Sequence, residues 1–570
     1  MRNFTLKFNT YYRLGWLEYV ILFVVLFLSF YLGMSTYGIE NVNEGLYAEI
    51  PREMLQLGNY VIPKLNFLPY IEKPPLFYWL IALSYKIFGI STWSARVVPA
   101  TSAALICLSL VYFGHVLRRN REGWLAAIIL ATSIGFVATA RVLILDMALT
   151  LFFTLALFSF YSWYKSNRVG YLRIFYVFFA LAFLTKGMLA LLIPLIGMLF
   201  LLSMQVSSKK MLACLDVVGI SLLGAIIIPW HYLAMHQQAG FIWDYFVNEQ
   251  VFRFLGERTP NDYHTGPIYF YIPNILLYLF PWSLLSFLLL KPDKHLEKSL
   301  YRFLWVWFTL PLIFFSLAKA KGDYYMVVAT PALALLLSFK INEIFTTKNK
   351  TFIYFFAFLG FFEITVFGLL YSATVQNKIG VYLPDLWRLD LFLAHSLYIL
   401  FVSATIVTFA GLLLCIKYNK KPLLHFLAII CLIFFIVAFY VINKQKIGYR
   451  LSEKSLANFI SQHDPNRPTY LYQDYEKISS IVFYLQKRLP LIDSQSKDLE
   501  YGMRKLSSED WFFSLNNFLN TKDKETHYVI ARKDRLMEFL HAVTPHEYCI
   551  LAQSGSSVLL SNKLEECEAQ

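Results

Sequence analysis

Residues Gly123–Tyr164 read GWLAAIILATSIGFVATARVLILDMALTLFFTLALFSFYSWY, with Arg141 and Asp146 as the only charged side chains. About 20 predominantly apolar residues suffice for one helical crossing of a bilayer. This stretch therefore holds two crossings in near succession. Its apolar positions run on without alternating, so helices are expected, not the strands of a barrel.

The rest of the chain repeats the pattern. Of its 570 residues, 58% are hydrophobic and only 15% are charged, with a mean hydropathy of +0.52. A soluble domain carries about 25% charged residues. The fold class expected is an α-helical polytopic membrane protein with thirteen spans. They centre on residues 17–37, 96–117, 123–140, 145–164, 171–184, 187–205, 211–235, 270–290, 302–317, 324–341, 351–374, 390–416 and 422–442. The first apolar run is too long for a cleavable signal, and no small-residue cleavage site follows it.

Charge placement orients these spans. With the N-terminus inside, the inside segments Met1–Arg13, Arg118–Glu122, Lys165–Arg173, Ser207–Lys210, Lys291–Arg302, Lys340–Lys350 and Lys417–Lys421 hold 21 Lys and Arg against four acids. The outside loop 38–96 is balanced, and loop 236–269 has two Arg against four acids. This asymmetry is the positive-inside pattern. The net charge of +14 thus follows from topology. A nucleic-acid surface would concentrate basic residues on one soluble face, and no nucleic-acid partner is expected. The reading gives a bacterial inner-membrane protein with a cytoplasmic N-terminus and its loop 38–96 in the periplasm.

Residues 1–442 form the expected membrane domain and 443–570 a soluble periplasmic α/β domain. Strands are expected at 468–473 and 527–531 and in the final EYCILA…SSVLLS pair, with helices at 477–489 and 511–519. This tail shows no nucleophile triad, phosphate loop or metal spacing and reads as an accessory domain. Cys549 and Cys567 could pair in an oxidising compartment. No CxxC occurs, and no metal site is expected.

Polar residues concentrate outside. The loop after the first span reads NEGLYAEIPREMLQLGNYVIPKLNFLPYIEKPPLFYW (Asn43–Trp79), with Glu44, Glu49, Glu53, Glu72, Arg52, Lys64 and Lys73, and Glu40 just upstream. Asp146 starts a span, where an acid is either functional or a helix N-terminal acid favoured by the dipole. Lys186, Lys321 and Tyr325 stand at other outer ends. Arg253 and His264 lie in VFRFLGERTPNDYHTGP. Carboxylates (Glu44, Glu72, Asp146) and cations (Lys73, Lys186, Arg253, Lys321) thus converge on one face. Lys and Arg suit the phosphate of a lipid carrier. A carboxylate suits an acceptor that must lose a proton. Cations also stabilise a departing phosphate. The chemistry implied is sugar transfer from a lipid-phosphate carrier at the outer face.

The ordered motifs NEGLYAEIPREML (43–55), GNYVIPKLN…YIEKPPLFYWL (58–80), ARVLILDM (140–147), LTKG (184–187), VFRF (251–254) with YHTGP (263–267), and SLAKAKGDYYM (316–326) carry a resemblance. The sequence resembles the GT-C superfamily of integral-membrane glycosyltransferases, in the bacterial branch near lipid A aminoarabinose transferases and protein O-mannosyltransferases. The resemblance covers about residues 15–345, and the remainder by architecture alone. It implies a polyprenyl-phosphate-linked sugar as donor substrate, inversion at the anomeric carbon, and no obligatory cofactor or metal. The acceptor is lipid A or lipopolysaccharide, or alternatively a protein. In the family the first outer loop opens with an Asp-Glu pair whose Asp is the proposed base. Here that position is Asn43, which cannot accept a proton, so either Glu44 takes the role or the acceptor is already an anion. The resemblance places Glu72 and Asp146 near the cavity, Lys73 and Arg253 on the carrier phosphate, and Lys321 and Tyr325 in the pocket lining.

A lipid-linked sugar flippase or transporter is the competing class. Transporters favour broken helices, midplane ionisable groups and internal repeats. Here the polar groups lie at outer ends and no repeat is visible.

Overall fold

The computed structural model describes residues 14–261, 264–291, 296–346, 451–505, 511–522, 525–543 and 547–565. The expected spans at 351–374, 390–416 and 422–442, the 442/443 domain boundary and Cys567 lie outside these residues.

The described part of the membrane domain is built of helices. In chain order they are α1 (Trp16–Leu26, continued by π-helical Phe27–Tyr31), α2 (Asn43–Leu57), α3 (Leu76–Phe88), α4 (Thr92–Val116), α5 (Asn120–Ala131), α6 (Ile134–Arg141), α7 (Asp146–Ser166), α8 (Val169–Lys186), α9 (Leu192–Ser203), α10 (Ser208–Leu212), α11 (Val217–Gln237), α12 (Arg253–Leu255), α13 (Tyr271–Tyr278), α14 (Lys298–Leu317) and α15 (Thr330–Thr346). Among the described residues, six helical runs are long and apolar enough to cross a membrane, or up to eight when each of two bent pairs counts as one span. The bent pairs are α5 with α6, at 66°, and α13 with Trp282–Leu290, at 119°. A polytopic helical membrane protein is therefore the fold class.

One of the long runs, Val169–Ser203, is two passes. Lys186 at the end of α8 meets Asp146 at the start of α7. Phe200 of α9 meets Tyr161 and Tyr164, near the other end of α7. The chain reverses between them, through the 3-10 turn Gly187–Leu191. Gly187 there has φ +72°, a conformation open to glycine without steric cost. Close packing where α4 turns into α5 uses small residues. A Cβ on Gly114 of α4 would lie 2.7 Å from Gly123 Cα of α5, so the two backbones touch as in other membrane helix pairs.

Strands are short in the membrane domain. β1 (Lys64–Leu65) and β2 (Leu68–Pro69) form a hairpin in the first outer loop, and β3 (His264–Thr265) pairs antiparallel with β4 (Ala320–Lys321). The hairpin turn Asn66–Phe67 has positive φ at both residues, the geometry of a type I′ turn.

The C-terminal domain is α/β, as expected. Strands β5 (Thr469–Tyr472), β6 (Leu491–Ile492), β7 (Phe512–Phe513), β8 (Tyr528–Arg532), β9 (Cys549–Ser554) and β10 (Ser557–Ser561) form one sheet in the order β7-β6-β5-β8-β10-β9. The first four strands in that order are parallel, and β10 is antiparallel to β8 and β9. The segment 511–519 corrects the helix expected there. Its Phe512–Phe513 is an edge strand and the helix begins at Leu515. The aromatic run fits a pleated, half-buried surface, and Trp511 Nε1 donates to Asn66 O at 3.1 Å. Cys549 of β9 is disulfide-bonded.

This domain does not stand apart from the outer loops. Leu46, Ile50 and Met54 of α2, Leu65 and Leu68 of the hairpin, and Tyr70 and Tyr78 share one apolar core with Leu456, Ile460, Leu471, Ile478, Ile481 and Leu489. Asn66 ties the two parts by a reciprocal pair, donating from Nδ2 to Leu489 O at 2.8 Å and accepting from Leu489 N at 3.0 Å.

Candidate active site

The first outer loop is fixed by an arginine that the sequence did not single out. Arg96 of α4 is fully buried and points up into the loop. Its guanidinium donates to Met34 O, Tyr37 O and Gly38 O at 2.9, 3.0 and 2.6 Å. It also grips Glu44, with Nε to Oε1 at 3.0 Å and Nη2 to Oε2 at 2.5 Å. The backbone N–H groups of Leu143 and Glu40 donate to the same carboxylate at 2.8 and 3.0 Å. A carboxylate offers about four lone-pair sites, and here four donors occupy them. Burial opposes the charge of Glu44, but Arg96 and the two amides outweigh it and hold the carboxyl below its ordinary value. Glu44 thus has neither a free lone pair nor the basicity for proton abstraction, which corrects its expected part as a base.

Asn43 precedes Glu44 and is exposed. On α2 it lies one turn before Tyr47, so the two share a face. Tyr47 is in electrostatic reach of Asp146 and Glu72. That face of α2 therefore looks toward the charged cluster.

The cluster has two parts. In the first, Glu249 of the π-helical segment Ile242–Phe252 is surrounded by cations. Lys73 pairs with it directly, Arg253 Nη1 lies 2.6 Å from Oε1, and Arg258 Nε lies 2.5 Å from Oε2. Burial works against its charge, but Arg253, Lys73 and Arg258 overcome it and hold the carboxyl at about 2. Glu72 joins from the other side, 2.6 Å from Arg258 Nη2, 3.5 Å from Lys73 and 4.0 Å from Arg253. Three cations thus face two carboxylates, leaving one positive charge in excess. Arg258 is 3% exposed, whereas Arg253 is 24% exposed and Lys73 13%. Arg258 anchors the carboxylates, and the other two present their charge outward.

In the second part, Asp146 pairs with Lys186. The Lys186 ammonium stands over the Tyr325 ring, 4.5 Å from its centroid, and 5.6 Å from that of Tyr324. Such a cation–ring contact fixes a charge while leaving it open to an anion. The two parts are neighbours: Asp146 interacts electrostatically with Lys73, and Lys186 with Arg253 and Glu249.

Of the residues expected at the site, Glu72, Lys73, Asp146, Lys186, Arg253 and Tyr325 come together. Lys321 and His264 do not join them. Lys321 donates to Phe315 O and Ser316 O, both at 2.8 Å, and so caps the C-terminal carbonyls of α14, a placement that suits a cation at a helix end. His264 stands opposite Lys321 on the β3–β4 ribbon and is exposed. Glu249 and Arg258 were not expected. Glu249 and Arg253 are four residues apart, a spacing that pairs charges on a helix. Arg258 carries no comparable signal. Among the described residues, no group of three or more His, Cys, Asp or Glu could hold a metal ion.

The chain is similar to known proteins in sequence and in fold. The family model described as dolichyl-phosphate-mannose-protein mannosyltransferase matches residues 72–232. The undecaprenyl phosphate-alpha-4-amino-4-deoxy-L-arabinose arabinosyl transferase of Yersinia enterocolitica is 28% identical over 499 residues, 84% of this chain and 85% of the relative. Its namesake from Pectobacterium carotovorum is 31% identical over 383 residues, 65% of this chain and 67% of the relative. The chain belongs to this aminoarabinose transferase family. It is accordingly a membrane glycosyltransferase of the GT-C superfamily, as the motifs imply. The crystal structure of ArnT from Cupriavidus metallidurans bound to undecaprenyl phosphate superposes with a TM-score of 0.83 at 20% identity. The match covers 96% of this chain and 99% of that one. The apo form of the same protein gives a TM-score of 0.81. The aminoarabinose transferase fold thus extends through the C-terminal domain.

Proposed function

We propose that the protein transfers 4-amino-4-deoxy-L-arabinose from undecaprenyl phosphate to a phosphate group of lipid A at the periplasmic face of the bacterial inner membrane. The observation that carries this reading is the ion pairing of the cluster. Each of its carboxylates already has a cationic partner: Glu72 has Arg258, Glu249 has three cations, and Asp146 has Lys186, while Glu44, outside the cluster, has Arg96. Their cations hold Glu44 and Glu249 below the ordinary carboxylate value and so make them poor bases. A hydroxyl acceptor requires one, whereas a phosphate monoester is already ionised near neutral pH. Asn43 in place of the family's Asp fits the same logic.

Lys73 and Arg253 would bind the carrier phosphate and stabilise it as it leaves, because its charge grows as the bond to the anomeric carbon breaks. Lys186, held by Asp146 and Tyr325, would orient the second phosphate. Arg258 and Glu249 keep the cations in place. No cofactor or metal enters this scheme.

The test is mass spectrometry of lipid A and of envelope proteins from a deletion strain beside wild type. A mass loss matching one aminoarabinose on lipid A is expected. Unchanged lipid A with sugar lost from a protein would overturn the acceptor assignment in favour of protein O-glycosylation.

A further inference from the structure

We infer that the C-terminal domain is part of the catalytic apparatus, with Ser479 as a positioning residue for the loop that presents Asn43. Val42, immediately before Asn43, has φ +68° and ψ −106°. Among the described residues it is the only β-branched one with positive φ. That conformation is costly for a branched side chain and persists only where the surroundings enforce it.

The enforcing groups come from the C-terminal domain. Val42 N–H donates to Ser479 Oγ at 2.9 Å and to Glu476 O at 2.8 Å. The Ser479 hydroxyl in turn donates to Val42 O at 3.3 Å. One hydroxyl therefore holds both polar groups of the strained residue. Neighbouring residues are pinned from the same side. Asn41 N–H donates to Leu451 O at 2.8 Å, and Asn41 Oδ1 accepts from Ser480 N and Oγ at 3.1 and 2.7 Å. Ile39 N–H donates to Tyr484 OH at 2.6 Å. Gly45 seats α2 directly on this wall, since a Cβ there would lie 2.8 Å from the Ser479 carbonyl carbon. Arg96 holds the loop from the membrane side. Between these two clamps the chain can turn only one way into α2, and that turn sets the direction of Asn43.

The inference rests on the proposed transfer reaction at the charged cluster, toward which the Asn43 face of α2 looks. It is tested in the full-length protein in detergent, with undecaprenyl-phosphate aminoarabinose and lipid A as substrates. Ser479→Ala is expected to lower kcat about tenfold, the scale of one or two lost hydrogen bonds, with the donor KM unchanged. Amide exchange at Val42–Gly45 should quicken while the C-terminal sheet keeps its protection. Val42→Gly in the Ser479→Ala background should restore kcat to within about threefold, because glycine adopts positive φ without cost. Wild-type kcat in Ser479→Ala would overturn the inference. So would a loss that Val42→Gly does not repair, since that would mark a general structural defect. Absence of transfer by the wild type would fault the substrate reading instead, and the exchange measurement would still report on Ser479.

Discussion

Arg96 and Glu44, 52 residues apart in sequence, form a two-pronged ion pair that is 0% and 2% exposed. The pair ties the start of α2 to α4 and closes the first outer loop over the membrane helices. Removing one member of a buried pair leaves the other charge uncompensated, at a cost of about 3–5 kcal/mol. Glu44→Gln should therefore lose activity together with thermal stability. The acid limb of the residual activity should match the wild-type limb. Retained stability with a shifted acid limb would return Glu44 to the role of a base. The double variant Glu44→Gln, Arg96→Met should recover part of the stability that either single change loses.

The carrier clamp makes a different prediction. Lys73→Ala and Arg253→Ala should each weaken binding of undecaprenyl phosphate by about one to two decades, since a hydrogen bond to a charged group contributes about 1.5–3 kcal/mol. Their melting temperatures should stay near wild type, because Glu249 keeps its other two partners. Arg258→Ala should behave otherwise and lower the melting temperature, because it strips a buried partner from both Glu72 and Glu249. Titration with undecaprenyl phosphate and a thermal melt on the same preparations separate the two classes. Equal binding in Lys73→Ala and wild type would remove Lys73 from the clamp.

Asp146 and Lys186 can be separated by charge. Asp146→Asn leaves the Lys186 ammonium unpaired beside Arg253 and should reduce both folding yield and transfer. Lys186→Met on top of it removes the orphan charge while keeping an unbranched stem. The double variant should regain yield but stay inactive. If it also regains transfer, the pair is structural and the second phosphate binds elsewhere.

The parts of this site that sequence made legible are those written in local order. The apolar runs set the spans. EKPP placed Glu72 beside Lys73, and the outer-end lysines and Asp146 marked one face. What stayed hidden are contacts made across the fold. Arg96 meets Glu44 over 52 residues and Arg258 meets Glu72 over 186, and neither spacing has a periodic signature. Lys321 shows the opposite failure. Its motif neighbours suggested the pocket, but the nearest carbonyl ends of α14 claim its ammonium. The tail reads as an accessory domain because its polar residues match no catalytic pattern. Their partners are backbone groups of a loop more than 400 residues away.

Glu453 gives the junction of that domain a pH response. It is fully buried, and its Oε1 accepts from Ser557 Oγ at 2.8 Å and Asn41 Nδ2 at 3.3 Å. Burial outweighs these bonds and pushes its carboxyl up to about 7. An acid with a raised folded-state value stabilises the fold fully below its unfolded pKa, about 4.3. That contribution is lost as pH rises through about 7. Glu453→Gln keeps the accepting oxygen and removes the titration. Its melting temperature should match wild type near pH 5 and exceed it near pH 8, by an amount equivalent to at most about 3 kcal/mol. Parallel melting curves for the two proteins across this range would show that Glu453 does not titrate there.

Asn43 allows the acceptor chemistry to be read from a pH–rate profile. It is exposed on the face of α2 that carries Tyr47, and no carboxylate of the cluster is free to act in its place. With an ionised phosphate as acceptor, wild-type transfer needs no side-chain base. Its acid limb should then follow the second ionisation of a phosphate monoester, near about pH 6. Asn43→Asp introduces the acid that the family motif carries at this position. It should remain active at neutral pH, within a few fold of wild type. An exposed Asp titrates near its ordinary value of about 3.9, well below the phosphate limb, so the profile above about pH 5 should not move. With a simple alcohol-terminated acceptor the outcome should reverse. Wild type should be inactive, and Asn43→Asp should gain measurable transfer with an acid limb near about pH 4, because only the variant offers a carboxylate to take the hydroxyl proton. A wild-type acid limb already near about pH 4 with the phosphate acceptor would mean that another carboxylate serves as base, and the acceptor assignment would fall with it.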